Sequence, residues 1–324
     1  GTQLRGSEGL FQCVEQLSGF DLAAGAWEDH VLPRRVRDFA PEQLDQLTFT
    51  GRVGWARANR EGKSEGPIRS TPIALFVREQ MAALRGGAGV VELSLSAQKV
   101  HAQLAQRGAS FVHDLAKHSG LTTSDVEEAL GELAALGLAT SDGFSGLRAL
   151  LATGTRGFQA GRYSLIESGE RDLELVARTL LARWGVVFRQ LLERESRGVP
   201  WSQLLRVFRT LEARGEIRGG RFVSGFSGEQ YALPEAVTLL RQLRREAARN
   251  ELVVISACDP LNLIGLITPG ARVAQQASSR IVLRDGLPLA AVVAGQLREL
   301  TPLDESELLA CEAALRGAAA LQVA

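Results

Sequence analysis

The stretch Trp184–Pro234 constrains the fold more than any other part of the chain. An apolar helix is predicted to end at Trp184-Gly185, and a short second helix to span Val187–Arg194. Pro200 opens a third, which stops near Arg214-Gly215. Pro suits a first helical turn, where its missing N–H has no partner to lose, and Gly suits the left-handed residue past a helix end. Beyond it, strand-like Glu216–Ile217 and Arg221–Val223 are broken at Gly219-Gly220, Gly225 and Gly228 mark a turn, and Gln230–Leu233 returns. Three short helices followed by a hairpin form the winged-helix variant of helix-turn-helix.

In the third helix Leu204, Leu205, Phe208 and Leu211 make an apolar stripe that must face a core. Arg206 and Arg209 leave that stripe, and Arg214, Arg218 and Arg221 gather where helix meets wing. A guanidinium stays charged and grips phosphate with paired hydrogen bonds, so these five arginines are the candidate nucleic-acid-binding residues. Arg214, beside the helix-ending glycine, has the alternative of capping its own helix. A merely solvated basic face is the competing reading for the whole group.

The chain has 324 residues and a formal net charge of zero, so any attraction to a polyanion must be local. It is uneven. Arg178 to Asn250 holds fourteen arginines and no lysine against seven glutamates, a net of +7, whereas Lys99 to Leu150 is −2. The partner expected for the 178–250 basic face is DNA or RNA. Cys13, Cys258 and Cys311 lie far apart and His30, His101, His113 and His118 have no metal-pair spacing, so neither a metal site nor a disulfide framework is expected. No apolar run of about 18 residues is present, so no membrane span is expected and the reading is cytoplasmic. A start at Gly1-Thr2 without Met points to a fragment of a longer protein.

The rest of the chain reads as variations on the same unit. Leu10–Leu17 is a short helix, Phe20–Trp27 a loop, and Pro41 starts a helix through Phe49 that Gly51 closes. Arg52–Arg57 and Ile73–Arg78 alternate as paired strands around a long polar wing, Ala58–Thr71, with Trp55 read as core. Gly86–Gly89 is a linker, followed by helices at Leu95–Arg107, Ala109–His118 and Ser124–Leu136, the last capped at Thr123-Ser124 with Glu127. Leu138–Leu150 is expected to make a reduced wing. Its third helix carries Asp125, Glu127, Glu128 and Glu132 and no basic residue, so it repels phosphate and suits a structural or protein-contact role. Gly154–Gly161 is a second linker, and Ala236–Arg249 a further helix. Strands at Leu252–Ser256, Arg280–Arg284, Leu289–Ala294 and Leu297–Leu300, with an Asp285-Gly286 hairpin signal, precede a closing helix at Leu303–Arg316. The fold class is therefore α+β. Winged-helix domains at 1–88, 89–160 and 161–250 precede a small β-module, a partial barrel with a closing helix, at 251–324.

Gly62-Lys63-Ser64 ends like a phosphate-binding loop, but Arg57 stands where its first glycine belongs, so no ATP site is expected. Asp259-Pro260-Leu261-Asn262 is a tight turn at a strand end. Asp259 is the catalytic candidate, with Asp304 behind it, should the chain act on a flipped base.

Five segments, Val31–Trp55, Glu127–Leu151, Leu180–Glu195, Arg209–Val237 and Ser256–Gly265, together resemble the carboxy-terminal region of bacterial large helicase-related (Lhr) proteins, in that family's order. Tyr163 departs from the family's Trp. The resemblance implies the nucleic-acid-binding and assembly tail of an ATP-dependent 3′-to-5′ helicase of DNA repair. Its motor, with ATP and Mg²⁺, would lie outside this chain, and the tail would form a homo-oligomer. Such tails are also similar to tandem winged-helix DNA glycosylases, although no residue here carries over as a glycosylase carboxylate. An oligomerisation scaffold without nucleic-acid contact is the remaining alternative.

Overall fold

A computed structural model describes residues 3–58, 69–87, 91–152, 161–195 and 198–320. They divide into two compact units, one built from 3–24 and 35–179, the other from 25–34, 180–195 and 199–320. The helix Leu173–Trp184 contributes to both.

The same strand order occurs three times. In the first instance helix Gly6–Gln16 leads to strand Leu22–Ala23, a π-helical turn at Trp27–Val31 runs into Leu32–Arg35, and helix Pro41–Phe49 precedes strands Val53–Ala56 and Pro72–Val77. The last strand lies in the middle of the sheet, between the other two. In the third instance Leu173–Trp184, Val186–Phe188, the 3₁₀ helix Arg189–Arg194 and helix Trp201–Ala213 precede Arg218–Gly220 and Gln230–Ala232, and again the last strand is central. The second has helices Leu95–Arg107, Val112–Ser119 and Thr123–Ala135 and strands Ala139–Ser141 and Tyr163–Leu165, its first strand reduced to a single bridge between Ser110 and Tyr163. All three are winged helices.

The third helix of each ends the same way. Gly51, Gly137 and Gly215 take φ of 74°, 68° and 76°, each two residues past the helix. Each glycine N–H returns to the carbonyl three residues back (Thr48, Ala134, Glu212), and the next N–H reaches five back, to Leu47, Leu133 and Leu211. This is a Schellman motif, which satisfies the last carbonyls and turns the chain into the wing. A β-carbon is disfavoured at that φ, which is why Gly stands at all three places.

Several sequence expectations need correction. Val187–Arg194 is not one helix: Val186–Phe188 forms the first strand and only Arg189–Arg194 is helical, because two valines and a phenylalanine suit a pleated ladder better than a short helix. The expected break at Gly219-Gly220 lies inside the strand Arg218–Gly220, while Phe222 and Val223 lie beyond it. Their N–H groups both donate to the Gln230 side-chain oxygen at 2.8 Å, so a buried glutamine holds the wing where a ladder was expected. Phe144–Leu151 is a helix, and Tyr163–Leu165, expected to lead into the third domain, closes the second. The cap of Thr123–Ala135 is Thr122 with Asp125 rather than Thr123-Ser124 with Glu127. The loop Phe20–Trp27 contains the two-residue strand Leu22–Ala23. Most of the long wing, with Gly62-Lys63-Ser64, lies outside the described residues, as do parts of both expected linkers.

The carboxy-terminal module is an open four-stranded meander of Leu252–Ser256, Arg280–Arg284, Leu287–Val293 and Gln296–Glu299, and it does not close into a barrel. Side chains alternate between its faces. Val254, Val282 and Ala290 pack with Cys311 of helix Glu305–Ala320, while Ile255, Ile281 and Ala291 pack with Ile264 and Val273 of the intervening loop. Asp285 and Gly286 have φ of 49° and 83°, the positive pair a type I′ turn requires. Ala294-Gly295 (53° and 78°) makes an equivalent turn that no residue-type signal announced. The π-helical turn Trp27–Val31 packs against strand Leu252–Ser256.

Candidate nucleic-acid interface

The recognition-position helices of the three winged units differ in what covers them. Asp45 of Pro41–Phe49 accepts the Ser145 N–H at 2.7 Å and pairs with Arg148, and Thr48 Oγ1 accepts the Phe144 N–H at 3.1 Å. Helix Phe144–Leu151 thus occupies the face a groove would need. Trp55 binds the two winged units together, its fully buried indole N–H reaching Ser141 Oγ (3.2 Å) and the Gly143 carbonyl (3.3 Å). That confirms it as core. Thr123–Ala135 presents acids instead. Glu132 is already used, its carboxylate accepting the Ser94 N–H at 2.9 Å, and burial raises the Glu127 carboxyl above the usual range.

Trp201–Ala213 is different. Leu204, Phe208 and Leu211 are fully buried, and Phe208 sits between Trp201 and Tyr231 at ring-centroid distances of 5.7 and 5.2 Å. Leu205 is only half-buried at the edge of that stripe. The opposite face carries exposed Arg206 and Arg209, and the wing adds exposed Arg218 and Arg221. All five predicted arginines are on the surface, but they are not equivalent. Arg209 Nη2 lies 3.0 and 3.2 Å from the two Glu229 oxygens, which holds its guanidinium more firmly protonated, with the Tyr231 hydroxyl as a further partner. Arg214 lies 3.8 Å from Glu216. Among the described residues, Arg206, Arg218 and Arg221 have no ion pair. Glu212 accepts the Gly219 N–H at 3.0 Å, and a cleft of about 480 Å³ between helix and wing is lined by Glu212, Arg221, Glu229 and Tyr231 among others. Helix and wing together therefore offer three available cations and two partnered ones.

The surplus of arginine in 178–250 is smaller at the surface than in the sequence. Arg183 is buried on Glu195, with Nη1–O distances of 2.5 and 2.6 Å, and the Trp184 indole N–H donates to the same carboxylate at 2.7 Å. Arg194 is buried too. Its Nη2 donates to the Asp259 carbonyl at 2.9 Å, and burial pushes its pKa down to about 10 against the charges of Asp259 and Glu195.

Asp259, the catalytic candidate, is only 2% exposed. Its Oδ1 accepts the Leu261 N–H at 2.9 Å, its own carbonyl accepts the Asn262 N–H at 2.9 Å, and Asn262 Nδ2 donates to the Ala257 and Val273 carbonyls. The group is a buried turn that also balances Arg194. Asp304 caps its helix: Oδ1 accepts the Glu307 N–H at 2.8 Å, and Glu307 returns to the Asp304 N–H at 3.2 Å. What the sequence did not reveal are the counter-charges Glu212 and Glu229 and the clamp Gln230, whose positions follow from the register in which the wing returns.

Comparison with known proteins agrees with this architecture. Residues 1–74 and 167–252 each match a family model described as the winged-helix domain of the large helicase-related protein, so these models cover most of the first and third winged units. A relative from Escherichia coli, described as an Lhr helicase/uracil glycosylase, is 30% identical over 95% of this chain and 23% of its own length. A second, from Mycolicibacterium smegmatis and described as an Lhr helicase/probable uracil glycosylase, is 28% identical over 82% of this chain and 20% of its own. The chain thus spans about a quarter or less of these relatives.

Proposed function

The chain belongs to the large helicase-related family, as a carboxy-terminal region built on winged-helix domains, and on that premise we propose that it is the nucleic-acid-binding and assembly tail of an ATP-dependent 3′-to-5′ helicase acting in DNA repair in the cytoplasm. Sequence-independent grip on the phosphate backbone comes from Arg206, Arg218 and Arg221, with Arg209 and Arg214 as partnered reserves. One observation carries this reading: of the three recognition-position helices, only Trp201–Ala213 combines an exposed face with exposed arginines. ATP and Mg²⁺ belong to motor domains outside this chain. Among the described residues no helix is long and apolar enough to cross a membrane. Assembly with further copies is assigned first to helix Pro234–Leu243, whose Leu239, Leu240 and Leu243 are 52, 40 and 52% exposed. The test is binding of a labelled duplex by the wild type and by the Arg206→Ala/Arg218→Ala/Arg221→Ala variant. Strong, salt-sensitive binding that the variant loses supports the proposal, and equal binding by both refutes it.

A second reading follows from the description of the Escherichia coli relative as a uracil glycosylase. A base-excising activity would be detected by incubating the protein with a uracil-containing duplex and cleaving the resulting abasic sites with alkali. Asp259 is too enclosed to serve as its carboxylate without opening the turn.

A further inference from the structure

The second winged unit has an acidic third helix, yet it carries a cleft of about 470 Å³ lined by Arg107, Ala109, Ser110, Phe111, Asp114 and Arg162. None of these belongs to the acidic helix. They come from the end of the first helix, the start of the second and the lead into the last strand. Phe111 is 47% exposed although it borders a well-packed core that includes Val112 and Leu115. The His113 ring stands beside it at 6.2 Å between centroids and only 24° from parallel, so an aromatic surface faces solvent. Arg162 is ion-paired with Asp142, which accepts its backbone N–H at 2.8 Å and its Nε at 3.1 Å, and its two Nη groups have no hydrogen bond among the described residues. Arg107 is exposed in the last turn of its helix and has no ion pair among the described residues. Asp114, partnered by His113 at 3.1 Å, supplies a hydrogen-bond acceptor.

From this grouping we propose that the cleft takes an unpaired nucleotide of single-stranded nucleic acid, its base stacked on Phe111 and its phosphate held by Arg107 and Arg162. A base inside a duplex has both faces covered by its neighbours, so an exposed aromatic face selects unpaired bases. Stacking is indifferent to base identity, since every base has a π face, and the guanidinium groups add a salt-dependent grip on the backbone. Asp114 can accept from a base N–H, such as N3–H of thymine, and repels phosphate, which orients the nucleotide. A protein side chain would find only one large apolar residue here, whereas a nucleotide uses ring, charge and acceptor together. The cleft shares no residue with the arginines of Trp201–Ala213.

The test measures the full chain against a short labelled oligothymidylate and a blunt duplex of equal length. Phe111→Ala is expected to weaken single-strand binding about fivefold or more, the lower end for a base–aromatic stack, and to leave duplex binding within about twofold. Phe111→Trp restores the affinity, and oligothymidylate quenches the added tryptophan fluorescence. Phe111→Leu, which keeps apolar contact without a π face, behaves as the alanine variant. Single-strand affinity unchanged in Phe111→Ala overturns the proposal, as does full rescue by leucine or a Phe111→Trp signal that does not respond at saturation. The same measurement on the triple arginine variant separates the two sites: loss of duplex binding with a persisting Phe111 effect leaves this proposal standing alone.

Discussion

If Arg206, Arg218 and Arg221 hold phosphates, their removal has a predictable salt signature. Each phosphate contact on duplex DNA contributes about 0.9 to the slope of log affinity against log salt, so the triple alanine variant should lose about 2.7 from that slope. With the electrostatic contribution taken to vanish near 1 M salt, each contact is worth about fivefold at about 0.15 M, and the three together about 150-fold. The paired arginines should behave differently. Arg209 must leave Glu229, 3.0 Å away, before it can meet a phosphate, so Arg209→Ala should lower the slope by less than Arg206→Ala does. Glu229→Gln frees the guanidinium and should raise both affinity and slope. Fluorescence anisotropy titrations of a labelled duplex at four or five salt concentrations supply the slopes, and circular dichroism confirms the fold. None of these changes touches Phe208 or the Gln230 clamp that hold helix and wing in place. A triple-variant slope equal to that of the wild type would make this face ordinary solvated surface. Equal losses for Arg209→Ala and Arg206→Ala would show that the Glu229 pair imposes no restraint.

Four further outcomes follow from the structure. Phe208→Ala, which empties a fully buried site between Trp201 and Tyr231, should destabilise its unit by about 3–5 kcal/mol in a urea melt. Glu128→Lys should leave duplex binding unchanged or stronger, whereas Glu132→Lys, which removes the acceptor of the Ser94 N–H, should also lower the melting temperature. Asp259→Asn keeps the turn acceptor for Leu261 but removes charge beside buried Arg194, so it should cost stability, below the roughly 3–5 kcal/mol of a fully broken buried pair because Glu195 remains near. Cys13, Cys258 and Cys311 are all buried, and burial raises the thiol pKa of Cys258 and Cys311, so less of each is thiolate at neutral pH. A disulfide reagent should therefore titrate them slowly in native protein and at once in denaturant.

The third winged unit was legible because its signals are local. Pro200 and Gly215 bracket the helix, and Leu204, Phe208 and Leu211 set its buried face without reference to the rest of the chain. Legibility failed where pairing over distance decides the structure. Val186–Phe188 is too short to show a period and becomes a strand only because Gln230–Ala232 pairs with it. Likewise, Phe144–Leu151, expected as part of a reduced wing, closes as a helix onto Asp45 and Thr48, roughly a hundred residues earlier.

Charge shows the same limit most clearly, because a sequence count treats every arginine as available. Between Arg178 and Asn250 the count is +7, yet Arg183 and Arg194 are buried as structural cations, and Arg209 and Arg214 face carboxylates of their own unit. Glu229 meets Arg209 only because the wing returns with Gln230 opposite Gly220, a register set by strand pairing and invisible in spacing. The frame and its glycines are repeated in all three winged units, so the frame alone does not tell them apart. What distinguishes the third is that its recognition-position helix keeps an exposed face that carries arginine rather than acid. In the first unit Phe144–Leu151 covers the corresponding helix, and in the second the corresponding helix repels a phosphate track. The function proposed for this region therefore rests on which faces the packing leaves open, and the salt slopes of Arg206, Arg218 and Arg221 measure that directly.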